Sequence, residues 1–373
     1  MQKKLDNRKN LYWLDWLRFI ASLLVVVSHA RGGLWVDWGR LAFESKTIYT
    51  AVLFAVTRLG GESVLIFFVL SGFLVGGKLI ERLENKSFEI HIYVIDRFTR
   101  IWIPLVPALF LSAVVAYQVG KPVVWLDFFG NLIGLQGILV KNFSENNPLW
   151  SLAYEIWFYF LAGWLATWII SKGKIKIIAG FLITLGFMVF TKLVAAFLFS
   201  WIVGALTYWF VNKPCDKKIS LTSCVFIISG LSVMQLQSAT VSVDTTIWLS
   251  YIPSTEIGSL LFSLGIALAI PYLTTLEPTT DASKMLDAVG SKIAAFSYTL
   301  YLTHYPILYL WEYFMPGRHD IVDLETIMWY IIRIASCVIL GWMLYLPFEM
   351  QTTRARKWLL KIWNVRYPKV GIN

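Results

Sequence analysis

Tyr12-Trp13-Leu14-Asp15-Trp16-Leu17-Arg18-Phe19-Ile20-Ala21-Ser22-Leu23-Leu24-Val25-Val26-Val27-Ser28-His29-Ala30-Arg31-Gly32-Gly33 is the first long apolar run of the chain. A helix needs about 20 such residues to cross a bilayer, and this run supplies them. Nine further runs lie near 62–80, 98–117, 149–170, 175–190, 193–211, 221–237, 255–274, 291–311 and 325–347. The composition agrees. Of 373 residues, 57% are apolar and 15% charged, with 18 Trp, 17 Tyr and 25 Phe, against about 25% charged in an ordinary soluble domain. A soluble globule of this size cannot hide that much apolar surface. The sequence therefore predicts an all-α, polytopic membrane protein with about ten transmembrane helices. It excludes a secreted disulfide scaffold, a disordered chain and a cytosolic enzyme. The fifth and sixth runs are the least distinct, because only Thr191-Lys192 divides them. The stretch 121–148 is broken by Pro122, Gly130, Gly134 and Gly137 and reads as an interfacial or re-entrant outer loop.

The net charge of +10 is placed by side rather than by face. With the N-terminus inside, 23 Lys and Arg fall on inner segments and 8 on outer ones, leaving Arg18 and Arg333 within spans. Lys78, Arg82, Lys86, Arg97 and Arg100 crowd the first inner loop, and Arg354, Arg356, Lys357 and Lys361 the C-terminal tail. Positive residues gather on the cytoplasmic side, so both termini are expected there. This also accounts for the basic balance without nucleic acid, whose partners concentrate charge on one face. One membrane-embedded domain is expected over 1–373, with cytoplasmic tails at 1–11 and 349–373. The first run contains Asp15, Arg18 and His29 and is not followed by a cleavage pattern, so it does not read as a signal peptide. Cys215, Cys224 and Cys337 form no disulfide or ligand framework. No cluster has metal spacing, and no metal is expected.

Charge is costly at the bilayer centre, so each intramembrane polar residue is a candidate. Arg18 and His29 are eleven residues apart, which returns to within about 20° of one helix face with a rise of roughly 16 Å. One stripe thus carries a permanent cation toward the cytosol and an imidazole toward the outside. Asp15, three residues before Arg18, can pair with it. Snorkelling of Arg18 and an interfacial hydrogen bond of His29 fit the same spacing. Arg97 and Arg100 share a face at a cytoplasmic helix N-terminus, where guanidinium forks and free N–H groups suit phosphate. An ordinary positive-inside anchor has the same pattern. Glu155 lies roughly 9 Å inside the fourth span, at a depth similar to His29. Ser71 precedes Gly72, Gly76 and Gly77, which suit close helix packing. Ser297-Tyr298-Thr299-Leu300-Tyr301-Leu302-Thr303-His304 approaches Pro306, where a kink is expected. Its polar side chains can line a cavity or join helices.

Taken in order, several motifs resemble the membrane-bound acyltransferase-3 family over nearly the whole chain. They are Asp15-x-x-Arg18-x10-His29, Phe67-Phe68-Val69-Leu70-Ser71-Gly72-Phe73 and Arg97-x-x-Arg100-Ile101-x-x-Pro104. Trp150-Ser151-Leu152-x-x-Glu155, the 297–306 run and Glu349 complete them. The resemblance implies O-acyl transfer from acyl-CoA, usually acetyl-CoA, to a hydroxyl of a cell-surface or lipid-linked glycan. It implies a multi-pass protein of the cell membrane that uses acyl-CoA as co-substrate and holds no bound cofactor. On this reading His29 is the general base, with Arg18 on its stripe and Glu155 orienting it. Arg97 and Arg100 dock the CoA phosphates, and Ser71, Tyr301, His304 and Asp15 contact substrate. A transporter or flippase for a glycan or lipid intermediate is the rival class, since broken spans and buried charges suit it as well.

Overall fold

Hydrocarbon offers no partner to a backbone N–H or C=O, so a chain crossing it must bond to itself. The structure, a computed structural model, describes residues 11–211, 217–240 and 254–363. Among these it is helical throughout, with only isolated bridges such as Trp35 to His319 in place of strands. The expectations placed on Lys3, Lys4, Arg8, Lys9, Lys213, Cys215, Arg366 and Lys369 lie outside the described residues.

The helices run α1 (Tyr12–Leu34), α2 (Ile48–Val56), α3 (Gly60–Ser71), α4 (Lys78–Glu84), α5 (Ile90–Gln118) and α6 (Trp125–Leu132). Then come α7 (Trp150–Ile170), α8 (Gly173–Phe190), α9 (Ala195–Leu206), α10 (Lys217–Thr240) and α11 (Thr255–Leu273). The chain ends with α12 (Asp281–Ala294), α13 (Ser297–Phe314), α14 (Leu324–Tyr345) and α15 (Thr352–Ile362). Eight helices or joined helices are long and apolar enough to cross a membrane. The chain is thus an all-α, multi-pass membrane protein. Two expected stretches fall short of that measure. The helix from Ala195 to Trp209 is short, and α13 is diluted by Tyr, Thr and His. The loop at 121–148 holds only α6 and two 3-10 turns near its end, and Gly134 and Gly137 take positive φ there.

Helix α1 lies at the centre, packed against α3, α12, α13 and α14. Helix α8 leans on α7 alone among its stronger contacts and turns Ile177, Phe181 and Met188 outward, as a lipid-facing helix should. The second expected span is not one regular helix. Between α3 and α4, Gly72–Gly77 form a π turn, the form in which helices absorb an inserted residue, often near a site. The turn coincides with a close helix contact. A Cβ on Gly72 would overlap the Trp201 carbonyl, and one on Gly204 would overlap the Val69 carbonyl. Bare backbones of α3 and α9 therefore touch, as small residues allow within membranes.

Two boundaries differ from the sequence reading. The stretch 291–311 is divided at Ala295 and Phe296 into α12 and α13. Helix α12 has its own capping box, Thr280 with Ser283, and is clipped to α1 where Trp16 Nε1 donates to the Leu286 carbonyl at 3.0 Å. Helix α13 also continues through Pro306 to Phe314 without ending there. At the other end, residues 349–362 are not a loose tail. Glu349 is 2% exposed, and α15 packs on α5. Burial of Leu360 against Ile92 and Ile95 holds it there.

Replacing Gly72 by Ala should lower stability by about 1–3 kcal/mol, because an added methyl in a filled interface forces the backbones apart. Thermal unfolding of the detergent-purified variant checks this. An unchanged midpoint would show that α3 and α9 are not in backbone contact.

Candidate functional site

The basic and aromatic residues of α3, α4, α5, α7, α13 and α15 enclose a cavity of about 560 Å³. Its wall combines apolar residues, among them Val64, Phe67, Leu74 and Leu152, with the cations Arg18, Lys78, Arg82, Arg97 and Arg100. Arg18 is held by Asp15 at 3.4 Å. The rim is braced by Asp96, whose two oxygens accept from Arg82 Nη2 at 3.3 Å and Arg356 Nε at 2.5 Å. Arg97 places its guanidinium 5.3 Å from the Tyr159 ring centroid, and its Nε is buried without a hydrogen-bond partner among the described residues. An arginine in that state, stacked and short of an acceptor, is ready for an anion.

Arg100 is occupied differently. Its Nη1 donates to Glu349 Oε1 at 2.6 Å. The second oxygen of Glu349 accepts from the Thr299 backbone N–H at 2.9 Å and from Thr299 Oγ1 at 2.7 Å. Thr299 lies in the first turn of α13, where N–H groups have no intrahelical acceptor. Phe296, at the N-cap, supplies no side-chain cap. Glu349 therefore caps α13 from far along the chain, and Arg100 balances its charge. The arginine is a structural counter-ion as well as part of the cavity wall.

Inside the cavity a directional chain ends on Glu155. Trp201 Nε1 donates to Ser71 Oγ at 3.3 Å, Ser71 and Tyr159 hydroxyls are 3.1 Å apart, and Tyr159 OH donates to Glu155 Oε1 at 2.5 Å. Because Tyr159 spends its proton on the carboxylate, its oxygen accepts a hydrogen bond from the Ser71 hydroxyl, which in turn accepts one from Trp201. Ser71 and Glu155 are thus fixed by one network. Glu155 faces Arg100, Arg97 and Arg18, and it does not contact His29 among the described residues. The sequence reading put Glu155 beside His29 by depth; the structure gives that place to His304.

His29 Nδ1 lies 3.0 Å from His304 Nε2, with the rings stacked at 5.1 Å between centroids. His304 is 0% exposed, and its Nδ1 lies 2.7 Å from the Tyr301 carbonyl oxygen. A carbonyl can only accept, so Nδ1 of neutral His304 carries the proton and its Nε2 is a lone pair. His29 must then donate through Nδ1. That leaves His29 Nε2 as an unprotonated base. Neither histidine lines the cavity. Tyr301 stands between them and it: its ring lines the cavity 5.8 Å from His304, while its hydroxyl meets Ser151 Oγ at 2.6 Å and the Pro148 carbonyl at 3.1 Å.

The nine residues singled out by sequence thus fall into two groups. Arg18, Ser71, Arg97, Arg100 and Glu155 line the charged cavity, with Asp15 paired to Arg18 and Tyr301 at its boundary, and His29 and His304 lie beyond it. Sequence reasoning missed Tyr159, Asp96 and Arg356, while Tyr298, part of the run expected to line a cavity, does line it. Tyr159, four residues after Glu155, was open to detection as a helical neighbour; Asp96 and Arg356 are distant in sequence and carried no such signal. Among the described residues no group of three His, Cys, Asp or Glu is placed to hold a metal ion.

A family model described as an acyltransferase domain matches residues 11–346. No curated protein and no solved structure matches the chain.

Glu349→Ala removes both the cap on α13 and the counter-charge of Arg100. It should cost about 2 kcal/mol, a figure discounted because the Arg100 side chain is 38% exposed. Glu349→Gln, which can still cap, should fall between this variant and wild type. Unfolding midpoints in detergent read both, and equal midpoints for Glu349→Ala and wild type would remove Glu349 from this role.

Proposed function

This chain belongs to the acyltransferase family whose model spans residues 11–346, and we propose that it moves an acyl group, first of all acetyl, from cytosolic acyl-CoA to a hydroxyl of a cell-surface or lipid-linked glycan. The host membrane on this reading is the cell membrane, with both termini in the cytosol, following the charge asymmetry of the loops. One observation carries the proposal: the hydrogen-bond order from Tyr301 through His304 to His29, which leaves His29 Nε2 free as a base.

Acyl-CoA is the co-substrate. Its phosphates suit the rim where Arg97 offers an unpaired Nε and Lys78 and Arg82 stand near. Arg100 contributes field more than contact, since Glu349 already holds it. The pantetheine arm then runs along α1 from Arg18 toward His29, a rise of roughly 16 Å. The thioester reaches the outer half while the nucleotide stays inside. Tyr301 lies on this path and must turn aside.

The chemistry balances without an outside reagent. His29 Nε2 takes the proton of the acceptor hydroxyl as its oxygen attacks the thioester carbonyl carbon. The tetrahedral adduct collapses, the carbon–sulfur bond breaks, and the CoA thiolate leaves with the proton returned by His29. The products are the ester and free CoA. His304 is a positioning residue: it fixes the His29 tautomer and takes up part of the charge while His29 holds the extra proton. Ser71 and Tyr159 keep Glu155 fixed, so the charged wall facing the acyl-CoA is rigid.

Membranes carrying the protein and the host's own glycans, given radiolabelled acetyl-CoA, should transfer label to a glycan fraction. His29→Ala should lower this about 10²–10⁴-fold, as loss of a general base does, at equal protein level. His304→Ala should lower it about tenfold or more by releasing the tautomer. Absence of label from folded wild type, with succinyl-CoA also tried, would reject acyl transfer in favour of glycan or lipid transport.

A further inference from the structure

Arg333 is a charged residue inside α14, and it is 1% exposed. Its Nη1 donates to the Gly33 carbonyl at 3.0 Å. Its Nε and Nη2 are buried and have no hydrogen-bond partner among the described residues. Those two N–H groups share one edge of the guanidinium and point in parallel. That edge binds a carboxylate or phosphate with two hydrogen bonds at once. A membrane helix does not keep such a group without use.

The place is informative. Gly33 lies four residues beyond His29, about 6 Å along α1 and close to the same face. Glu312 of α13 lies against Gly33, where a Cβ would overlap its carboxylate. Glu312, half-buried, is near enough to Arg333 to attract it, yet no ion pair closes between them and the Nε and Nη2 edge stays open. Tyr305, 5.3 Å from His29 between ring centroids, receives a hydrogen bond from Asn147.

We infer that Arg333 forms an anion subsite one turn outward of His29, so that the acceptor saccharide bears a carboxylate or phosphate near the hydroxyl to be acylated. The fork of Arg333 grips the acid. Glu312, at the solvent side, accepts a hydrogen bond from a sugar hydroxyl. The subsite lies at the opposite end of α1 from the Arg18 cavity, so it is separate from the acyl-CoA rim. The anion site stands on geometry alone; only its use by an acceptor rests on the acyltransferase reading.

Thermal unfolding of the full chain in detergent tests it with three probes at equal ionic strength: glucuronate, inorganic phosphate and neutral methyl glucoside. Glucuronate or phosphate should raise the midpoint by about 3 °C over the glucoside, as a ligand specific to the folded state does. Whichever of the two acts more strongly distinguishes carboxylate from phosphate. All probes are read in the Arg97→Gln background, which weakens the rim: there the rise should remain, and adding Arg333→Lys, which keeps the charge but loses the fork, should abolish it. No rise in Arg97→Gln, or the same rise in the double variant, overturns the subsite. Should Arg333→Lys not fold, Glu312→Gln decides: relief of repulsion must enlarge the phosphate response, and an unchanged or absent response overturns the proposal. His29→Ala separates the two readings, since it should lose acyl transfer and retain the anion response.

Discussion

A carboxylate buried among membrane helices must meet a cation or a row of N–H donors, because desolvation costs several kcal/mol per ion. Glu349 meets both, with Arg100 on one oxygen and the first turn of α13 on the other. That single carboxylate ties α5, α13 and the C-terminal region together. It sets where α13 begins, and hence the depth at which Tyr301 and His304 sit on it. The cavity wall and the histidine pair both inherit their position from this contact. The adjoining Arg82–Asp96–Arg356 cluster repeats the device at the rim.

The interior is divided along α1. Toward Arg18 the walls are cationic and line a cavity. Toward His29 they are closed and aromatic, with charge returning one turn further out at Arg333. Tyr301 belongs to both, lending its ring to the cavity and its carbonyl to His304. The family model covers this whole arrangement, residues 11–346.

Several features were legible from one dimension. Apolar runs of span length announced a multi-pass helical protein, since the bilayer permits little else. The Arg18 to His29 spacing announced two chemical ends on one helix, because helical periodicity is local. Close packing at Gly72 and Gly76 was readable from small residues alone. Other features were not. The break at Ala295–Phe296 depends on Glu349, fifty residues away, and on Trp16 clipping α12 to α1. Equal depth suggested that Glu155 would meet His29, yet depth says nothing about which faces turn together.

The sequence by itself determined the class of the fold, the residues that carry charge into the membrane and the ends of the helix at which they work. Hydropathy and helical rise are properties of neighbouring residues, and they survive without knowledge of packing. Only the tertiary structure decided the partners: His304 for His29, Tyr159 for Glu155, Glu349 for Arg100, and none among the described residues for the fork of Arg333. Partnership needs the rotation of each helix about its axis. That rotation is fixed by contacts between residues far apart in the chain, where bare glycine backbones, buried rings and paired charges come to fit.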